Sequence, residues 1–399
     1  MSHILAVTGN EAVAYGMKQI NPDVVAAYPI TPQTALMQKF SDYFADGEVD
    51  TELVLVESEH SAMSACVGAS AAGARTMTAT AANGLALMWE ILYCASGNRL
   101  PIVMPVVNRA MSAPINIHCD HSDTMGARDS GWIQIFSENA QEAYDNTIQA
   151  ILIAEHKDVL TPAMATLDGF ILSHTLDRLE ALEDEEVREF VGTREPLYHL
   201  LDVENPVTFG PLDLTDYYFE HKRQQIPGME ASKGVIREVG KAFGELTGRF
   251  YGYLQCDYMD DAEFALIAMG STAGSVRHVV RAMREQGFKA GLIKIRVFRP
   301  FMEEELRDVL SSVKAVAVMD RSDSFGAQGG PLFHEMRSCL YEAKSPPAIV
   351  NYIYGLGGRN ITESQIERVI RETAEVVKTG KIQKRLTYLG VRETADVCE

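Results

Sequence analysis

Three places in the first third of the chain put reactive side chains at the ends of apolar runs. Thr31 and Pro32 follow VVAAY, Glu57 and Glu59 follow LVLV, and Arg109 follows IVMPVVN. A carboxylic acid can move a proton, and a guanidinium can bind a carboxylate. If the runs are parallel strands, these side chains meet at the carboxyl edge of one sheet, where α/β proteins bind their ligands.

The segment VVAAYPITPQT (24–34) predicts a strand that leads at once into a helix. Thr31 is the candidate cap of the helix, and Pro32 suits the first helical position. Free backbone N–H groups at such a helix start favour an anion. The alternative is an ordinary β-to-α turn without a ligand.

The segment LVLVESEHSAMSACVGASAAGA carries Glu57 and Glu59 into a helix built largely of Ala, Ser and Gly. Small side chains allow close packing, so a carboxylate at this helix start can be shielded from water, which raises its pKa. The alternative is a solvated acid that the helix dipole stabilises.

The segment MPVVNRAMSAPINIHCDHSD places Arg109 at a strand end, where it suits a carboxylate ligand or an internal salt bridge. It then carries His118, Asp120, His121 and Asp123. These four residues resemble a metal cluster, but their spacing matches no dedicated zinc motif. Capping of loop backbone groups is the favoured interpretation.

Composition narrows the class of protein. The chain has 399 residues and a net charge of −19, which disfavours nucleic acid as a partner. Its six cysteines include no C-x-x-C pair, so we expect any iron–sulfur cluster to lie in another chain. Free thiols favour the cytoplasm, and the short apolar runs predict no membrane span. The opening MSHILAVTGNEAV is interpreted as the first strand, not as a signal peptide.

The order of apolar and amphipathic segments predicts an α/β fold with two doubly wound domains. We place the first domain at residues 1–230 with an acidic connecting arm from about 176, a linking helix at 231–255, and the second domain at 256–399. Strands are predicted near 24–28, 53–57, 75–80, 102–107, 163–167, 264–270, 291–297, 315–320 and 348–353. Helices are predicted near 9–20, 33–45, 59–73, 84–97 and 139–156, and in a closing segment with Ile366, Val369, Ile370 and Val377 on one face.

The glycine-rich segments contain no nucleotide-binding fingerprint. Neither the P-loop pattern nor G-x-G-x-x-G after a strand is present in the sequence. GLGGRN (355–360) and GAQGGP (326–331) are interpreted as turns at strand ends. Contact of either turn with a cofactor or a partner chain is the open alternative.

Eight motifs, in this order, resemble the alpha subunit of the pyruvate:ferredoxin oxidoreductases, within the wider 2-oxoacid:ferredoxin oxidoreductase family. They are GNEAVAYG, AAYPITPQT, ESEHSAMSACVGASAAGARTMTATAANGLALMWE, NRAMSAP, DHSDTMGARDSGWIQIF, DGFILSH, VFRPF and GLGGRNIT. The likeness spans nearly the whole chain.

The resemblance implies thiamine diphosphate as cofactor, bound between this chain's first domain and a beta subunit. The G-D-G motif that binds diphosphate is absent here, so the beta subunit is expected to hold the diphosphate and Mg²⁺. Gamma- and delta-type subunits are expected to carry 4Fe–4S clusters, ferredoxin to accept electrons, and coenzyme A to take the acyl group. The first domain then corresponds to a pyrimidine-binding domain, and the second resembles the transketolase carboxy-terminal domain.

By the same resemblance, Glu59 matches the glutamate that hydrogen-bonds pyrimidine N1′ and favours the tautomer that deprotonates thiazolium C2. Thr31 and Arg109 match positions that contact the substrate carboxylate and oxo group. Oxalate-oxidising relatives carry Arg at the position of Thr31, so Thr31 favours pyruvate, with 2-oxoglutarate, a branched 2-oxoacid or oxalate as alternatives. Cys119 stands where other side chains are expected. A second hypothesis is a non-catalytic assembly subunit, against which the presence of Glu59, Thr31 and Arg109 together argues.

Overall fold

A computed structural model describes residues 3–392 as two α/β units joined by a long helix. The first unit contains β1 (His3–Thr8), α1 (Gly9–Ile20), β2 (Val24–Ala27), α2 (Thr34–Ala45), β3 (Glu52–Leu55), α3 (Glu59–Ala71), β4 (Thr76–Met77), α4 (Ala82–Leu87), α5 (Trp89–Gly97), β5 (Val103–Asn108), α6 (Ser122–Gly126), β6 (Ile133–Phe136), α7 (Ala140–Glu155), β7 (Ala163–Asp168), β8 (Leu176–Ala181), α8 (Asp184–Val191), α9 (Tyr218–Arg223) and α10 (Gln225–Thr247). The second contains β9 (Leu254–Asp257), β10 (Phe264–Ala268), α11 (Thr272–Glu285), β11 (Ala290–Ile295), β12 (Val297–Arg299), α12 (Glu303–Leu310), β13 (Ala315–Asp320), α13 (Pro331–Leu340), β14 (Ala348–Ile353), α14 (Glu363–Thr379) and β15 (Leu386–Tyr388).

The first sheet has seven strands in the order β12-β6-β7-β5-β4-β2-β3, with parallel neighbours except at the β12–β6 edge. Side chains alternate between its faces, so each strand supplies two layers. Val103 and Val107 of β5 pack with α1, α2 and α7, whereas Met104 and Val106 pack with α3 and α5 on the opposite face. Strand β5 is buried throughout, which explains its nearly continuous apolar run.

The second sheet has the strand order β15-β14-β13-β10-β11-β9, and β9 is its antiparallel edge. Leu266 of β10 packs with α11 and α14, and Ile267 packs with α12 and α13 on the other face. Helices therefore cover both faces here as well. The prediction of an α/β fold with two doubly wound units is confirmed.

The two units share a strand. Val297 of β12 pairs with Ile135 of β6, so a segment of the second half of the chain forms an edge of the first sheet. The domain boundaries near 230 and 256 stay predictions. The linking helix α10 begins at Gln225 and ends before Gly248, whose left-handed backbone terminates it.

The start of α2 differs from the prediction. The helix begins at Thr34 and its capping residue is Gln33, so the assignment of Thr31 as the cap and Pro32 as the first helical residue is wrong. The Gln33 side chain accepts the Ile30 N–H at 3.2 Å and donates to the Ala79 carbonyl at 2.8 Å. These two bonds fix a turn over 30–33 before the helix, and Thr31 lies exposed in that turn.

The predicted list of helices and strands was also incomplete. The segment 84–97 forms two helices, α4 and α5, and the sequence analysis placed no strand at β6, β8 or β12. Strand β8 lies in the segment interpreted as a connecting arm and pairs antiparallel with β1 in a two-stranded sheet. The opening segment is a strand, as predicted. Among the helices of the described residues, none has the length and apolar character to cross a membrane.

Candidate active site

Arg109 and Thr31 are in direct contact. Arg109 follows β5, and its side chain is buried. Its Nη1 donates to the Thr31 carbonyl at 2.9 Å, and its Nε donates to the Asn116 carbonyl at 2.8 Å. These bonds leave Nη2 outside both contacts. The structure thus unites two predicted site residues that are 78 positions apart.

Glu59 is the first residue of α3, and Ser58 caps the helix by accepting the Ser61 N–H. Only 7% of Glu59 is exposed. Within residues 3–392, its carboxylate forms no hydrogen bond or ion pair with another side chain or backbone group. The carboxylate oxygens are therefore available to accept a hydrogen bond from a ligand.

Glu57 differs from Glu59 in its exposure to solvent and in its hydrogen bonding. It is exposed, and it accepts the Ser61 hydroxyl at 2.8 Å, which lowers its pKa. Of the two acids at this helix start, Glu59 is therefore the one shielded from water.

Helix α4 covers the Glu59 carboxylate. A Cβ atom on Gly84 would lie 2.7 Å from Glu59 Oε1 and 2.5 Å from Thr80 Oγ1. The Thr80 hydroxyl is buried and also lacks a hydrogen-bond partner among the described residues. Because Gly84 has no side chain, α4 can approach Glu59 closely. Two polar groups without partners face the same small space.

Asp123 connects α4 with Arg109. Its Oδ2 accepts the backbone N–H groups of Ala82 and Arg109, each at 3.0 Å. Its Oδ1 accepts the Asn108 side-chain amide and the Thr124 N–H, each at 2.8 Å. Burial raises the pKa of this carboxyl to about 6, although the four N–H donors favour the charged form.

The residues that resembled a metal cluster have separate partners. Asp120 accepts the Ser122 N–H and the Gly357 N–H, and Asp123 binds the groups described above, so backbone capping accounts for both acids. His121 instead bonds Asp168, 2.8 Å away. Loop capping was the favoured interpretation, and it describes the two aspartates.

Cys119, His121 and Asp168 lie close together and are buried, with potential ligand atoms within 4.8 Å. Arg321 Nη1 donates to Asp168 at 3.2 Å, so the carboxylate already binds a cation. Burial, with the charge of Asp168, raises the pKa of the Cys119 thiol well above its ordinary value. Asp168 thus has two partners within the chain, the His121 ring and the Arg321 guanidinium.

The GLGGRN turn supports the loop that binds Arg109. Asn116 donates its side-chain amide to the Gly357 carbonyl at 2.9 Å. A Cβ on Gly358 would lie 2.3 Å from His118 Cβ, so glycine is required for this approach. Gly358 thus permits a close contact within the chain, in addition to forming the turn that the sequence predicts.

Two family models cover most of the chain. A model described as "Pyruvate flavodoxin/ferredoxin oxidoreductase, thiamine diP-bdg" matches residues 15–241, and "Pyruvate:ferredoxin oxidoreductase core domain II" matches residues 262–366. The chain belongs to the pyruvate flavodoxin/ferredoxin oxidoreductase family. Its first unit is the thiamine diphosphate-binding domain of that family.

Relatives in this oxidoreductase family are named for different substrates. The chain is 56% identical to the pyruvate synthase subunit PorA of Thermotoga maritima, over 98% of both chains. It is 48% identical to PorA of Methanocaldococcus jannaschii, over 93% of this chain and 95% of that one, and 46% identical to the ketoisovalerate oxidoreductase subunit VorA of Pyrococcus abyssi, over 96% of both.

Solved structures share the fold. A 2-oxoglutarate:ferredoxin oxidoreductase from Magnetococcus marinus has a TM-score of 0.73 at 21% identity, over 94% of this chain and 65% of that chain. A split-gene transketolase has a TM-score of 0.55 at 11% identity, over 93% of this chain and 99% of that one. At these identities the likeness shows the fold alone.

The side chains around Glu59 fit an aminopyrimidine of the family's cofactor. The carboxylate can accept a hydrogen bond from a protonated ring nitrogen, and the Thr80 hydroxyl supplies a second polar contact. Gly84 leaves that space free of a side chain. The sequence singled out Glu59 as a candidate, which stays a prediction, and gave no indication of Thr80, Gly84 or the connecting role of Asp123.

Gly84→Ala should weaken thiamine diphosphate binding about tenfold or more in the complex with partner subunits. The new methyl group displaces the Glu59 carboxylate, and a hydrogen bond to a charged group contributes about 1.5–3 kcal/mol. Isothermal titration calorimetry measures the affinity. Gly68→Ala in α3 is the control, because a Cβ there meets nothing within 4 Å. Equal affinities of the two variants would contradict the steric role of Gly84.

Proposed function

We propose that this chain is the alpha subunit of a pyruvate:ferredoxin oxidoreductase. In that reaction pyruvate loses CO2, its acetyl group passes to coenzyme A, and two electrons pass singly to ferredoxin. The observation that carries the proposal is the buried, unpartnered Glu59 at the same sheet edge as the Arg109–Thr31 pair. The 56% identity to a pyruvate synthase subunit over nearly the whole chain supports it.

A 2-oxoacid with one carboxylate is favoured because the described residues place one arginine, Arg109, beside Thr31. The 56% identity to a pyruvate synthase subunit puts pyruvate first. We propose that Arg109 binds the carboxylate, since two of its nitrogens are fixed by backbone carbonyls and Nη2 lies outside those bonds. Thr31 contributes a neutral hydroxyl on an exposed turn. Relatives at 43–48% identity are named for pyruvate or for ketoisovalerate, so a branched 2-oxoacid is the principal alternative.

Glu59 is proposed to hold a proton at the pyrimidine ring nitrogen. Thiamine diphosphate, when bound, supplies the nucleophilic carbon that attacks the oxo group and accepts the electron pair left by CO2. The low solvent exposure of Glu59 strengthens its hydrogen bond to that nitrogen, because water does not compete. The cover formed by α4 keeps the carboxylate in one position.

Partner subunits complete the site in this proposal. Exposed apolar side chains flank the Glu59 region: Leu55 is 76% exposed, Leu87 50% and Trp89 43%. An apolar surface of this kind supports a covering chain. We assign the diphosphate and Mg²⁺ to a beta subunit there, the 4Fe–4S clusters to gamma- and delta-type subunits, and the complex to the cytoplasm.

Glu59→Gln should lower 2-oxoacid turnover by the assembled complex about 10²–10⁴-fold, the usual scale for a lost proton-transfer partner. Glu57→Gln is the matched control and should retain near-normal turnover, because Glu57 is exposed and bonded to Ser61. If Glu57→Gln were inactive and Glu59→Gln near normal, the proton-transfer role would belong to Glu57. A wild-type complex without bound thiamine diphosphate would favour an assembly subunit instead.

Arg109→Ala should lower kcat/KM for pyruvate about 10- to 150-fold, because a charge-assisted hydrogen bond contributes about 1.5–3 kcal/mol. Thr31→Ala should have a smaller effect, since the Thr31 carbonyl that positions Arg109 remains. Arg178→Ala, at an exposed arginine, is the control. Steady-state kinetics with circular dichroism distinguish substrate binding from unfolding. Loss of activity only through unfolding would assign Arg109 a structural role.

A further inference from the structure

We infer that Asp123 is a positioning residue that fixes Arg109 and the α4 cover of Glu59 relative to each other. This inference rests on the proposed function, because it concerns the residues assigned there to substrate and cofactor. It adds a residue that takes no part in binding either molecule. The carboxylate contacts the backbone of both site elements and neither functional side chain.

The contacts of Asp123 join the two segments that follow the neighbouring strands β4 and β5. Arg109 follows β5, and Ala82 begins α4 just after β4. Both N–H groups donate to the same oxygen, Oδ2, at 3.0 Å. A displacement of either segment must therefore break or lengthen a bond to a carboxylate that is only 4% exposed.

The backbone at Ala82 explains why a fixed acceptor is needed. Ala82 has a φ of +41°, which is uncommon for a residue with a side chain. The surrounding structure must hold such a conformation in place. Two residues later, Gly84 lies against the Glu59 carboxylate. The bond from Ala82 to Asp123 thus determines where the α4 cover stands above Glu59.

Only a carboxylate satisfies all four donors at this position. Ala82, Arg109 and Thr124 donate backbone N–H groups, which cannot change into acceptors, and Asn108 donates its side-chain amide. An asparagine at position 123 has the same shape but replaces one acceptor oxygen with an NH2 group. Whichever way that amide turns, at least one backbone N–H faces a donor and remains unpaired.

A second contact joins the same two segments on the outside. The Ser112 hydroxyl donates to the Asn83 side-chain oxygen at 3.3 Å. This bond is exposed, so water competes with it, and it cannot replace the buried bonds of Asp123. Backbone bonds of Thr80 with Pro105 and Val107 hold the residues before α4 against β5. Among the described residues, Asp123 is the buried side chain that adds bonds to the first residue of α4 and to Arg109.

The test compares Asp123→Asn with Asp145→Asn. Asp145 is also buried and accepts bonds from Arg249 and Tyr251, but it contacts neither α4 nor the loop after β5. In the full chain, hydrogen–deuterium exchange at Ala82 and Arg109 should accelerate at least tenfold in Asp123→Asn and remain unchanged in Asp145→Asn. In the complex saturated with thiamine diphosphate, Asp123→Asn should raise the KM for pyruvate at least tenfold.

Two outcomes would overturn the inference. One is unchanged exchange at both amides in Asp123→Asn, and the other is a KM equal to that of Asp145→Asn. If Asp123→Asn does not fold, Asn108→Ala removes one donor to Oδ1 and should accelerate exchange at both amides about twofold to tenfold; unchanged exchange there would also overturn it. Failure of the proposed function is distinguishable, because the wild-type complex would then turn over no 2-oxoacid while the exchange result still tests Asp123.

Discussion

The buried carboxylate of Asp168 is the interaction on which the arrangement of both units depends. It lies at the end of β7 in the first sheet and binds His121 of the loop after β5, together with Ser271 and Arg321 of the second unit. Although burial raises the pKa of Asp168, the attraction of His121 and Arg321 holds it well below its usual range. Removing one partner from such a buried network costs about 3–5 kcal/mol, so the two units are fixed relative to each other here.

This network also positions the site. The His121 N–H donates to the Arg321 carbonyl at 2.9 Å, which fixes the loop after β5 against the second unit. Two residues later in the chain, Asp123 reaches back to the N–H of Arg109. The residue before His121 is bound as well, because Asp120 accepts the Gly357 N–H at 3.0 Å. The second unit thereby supports Arg109, the residue proposed to bind the substrate, through the loop after β5.

Much of the fold could be predicted from the sequence, because parallel strands buried on both faces read as short apolar runs. Strand β6 was missed, although its four residues are all buried, because a run so short has no distinctive periodicity. Strand β8 is mostly exposed and reads as a polar, acidic segment, since only its pairing with β1 makes it a strand. The start of α2 was misassigned because the side-chain bonds of Gln33 lead to Ala79, far along the chain.

Individual candidate residues could be proposed from the sequence, whereas the contacts between them could not. Glu59, Thr31 and Arg109 stand in motifs that resemble a known family, and their positions after strands place them at one sheet edge. Asp123 was noticed only as part of a pattern like a metal cluster. Its partners, Ala82 and Arg109, are defined by folding and not by spacing. A buried acid with backbone partners has no local sequence signature.

The central claim is that this chain, with its partner subunits, oxidises a 2-oxoacid that carries one carboxylate. The most direct measurement purifies the complex through this chain and compares pyruvate, 2-oxoglutarate, 2-oxoisovalerate and oxalate at equal concentration, with coenzyme A and a low-potential electron acceptor. We expect pyruvate to give the highest kcat/KM, with acetyl-CoA and CO2 formed in equal amounts. Oxalate as the best substrate, or no turnover of any 2-oxoacid by a complex that contains thiamine diphosphate, would contradict the account.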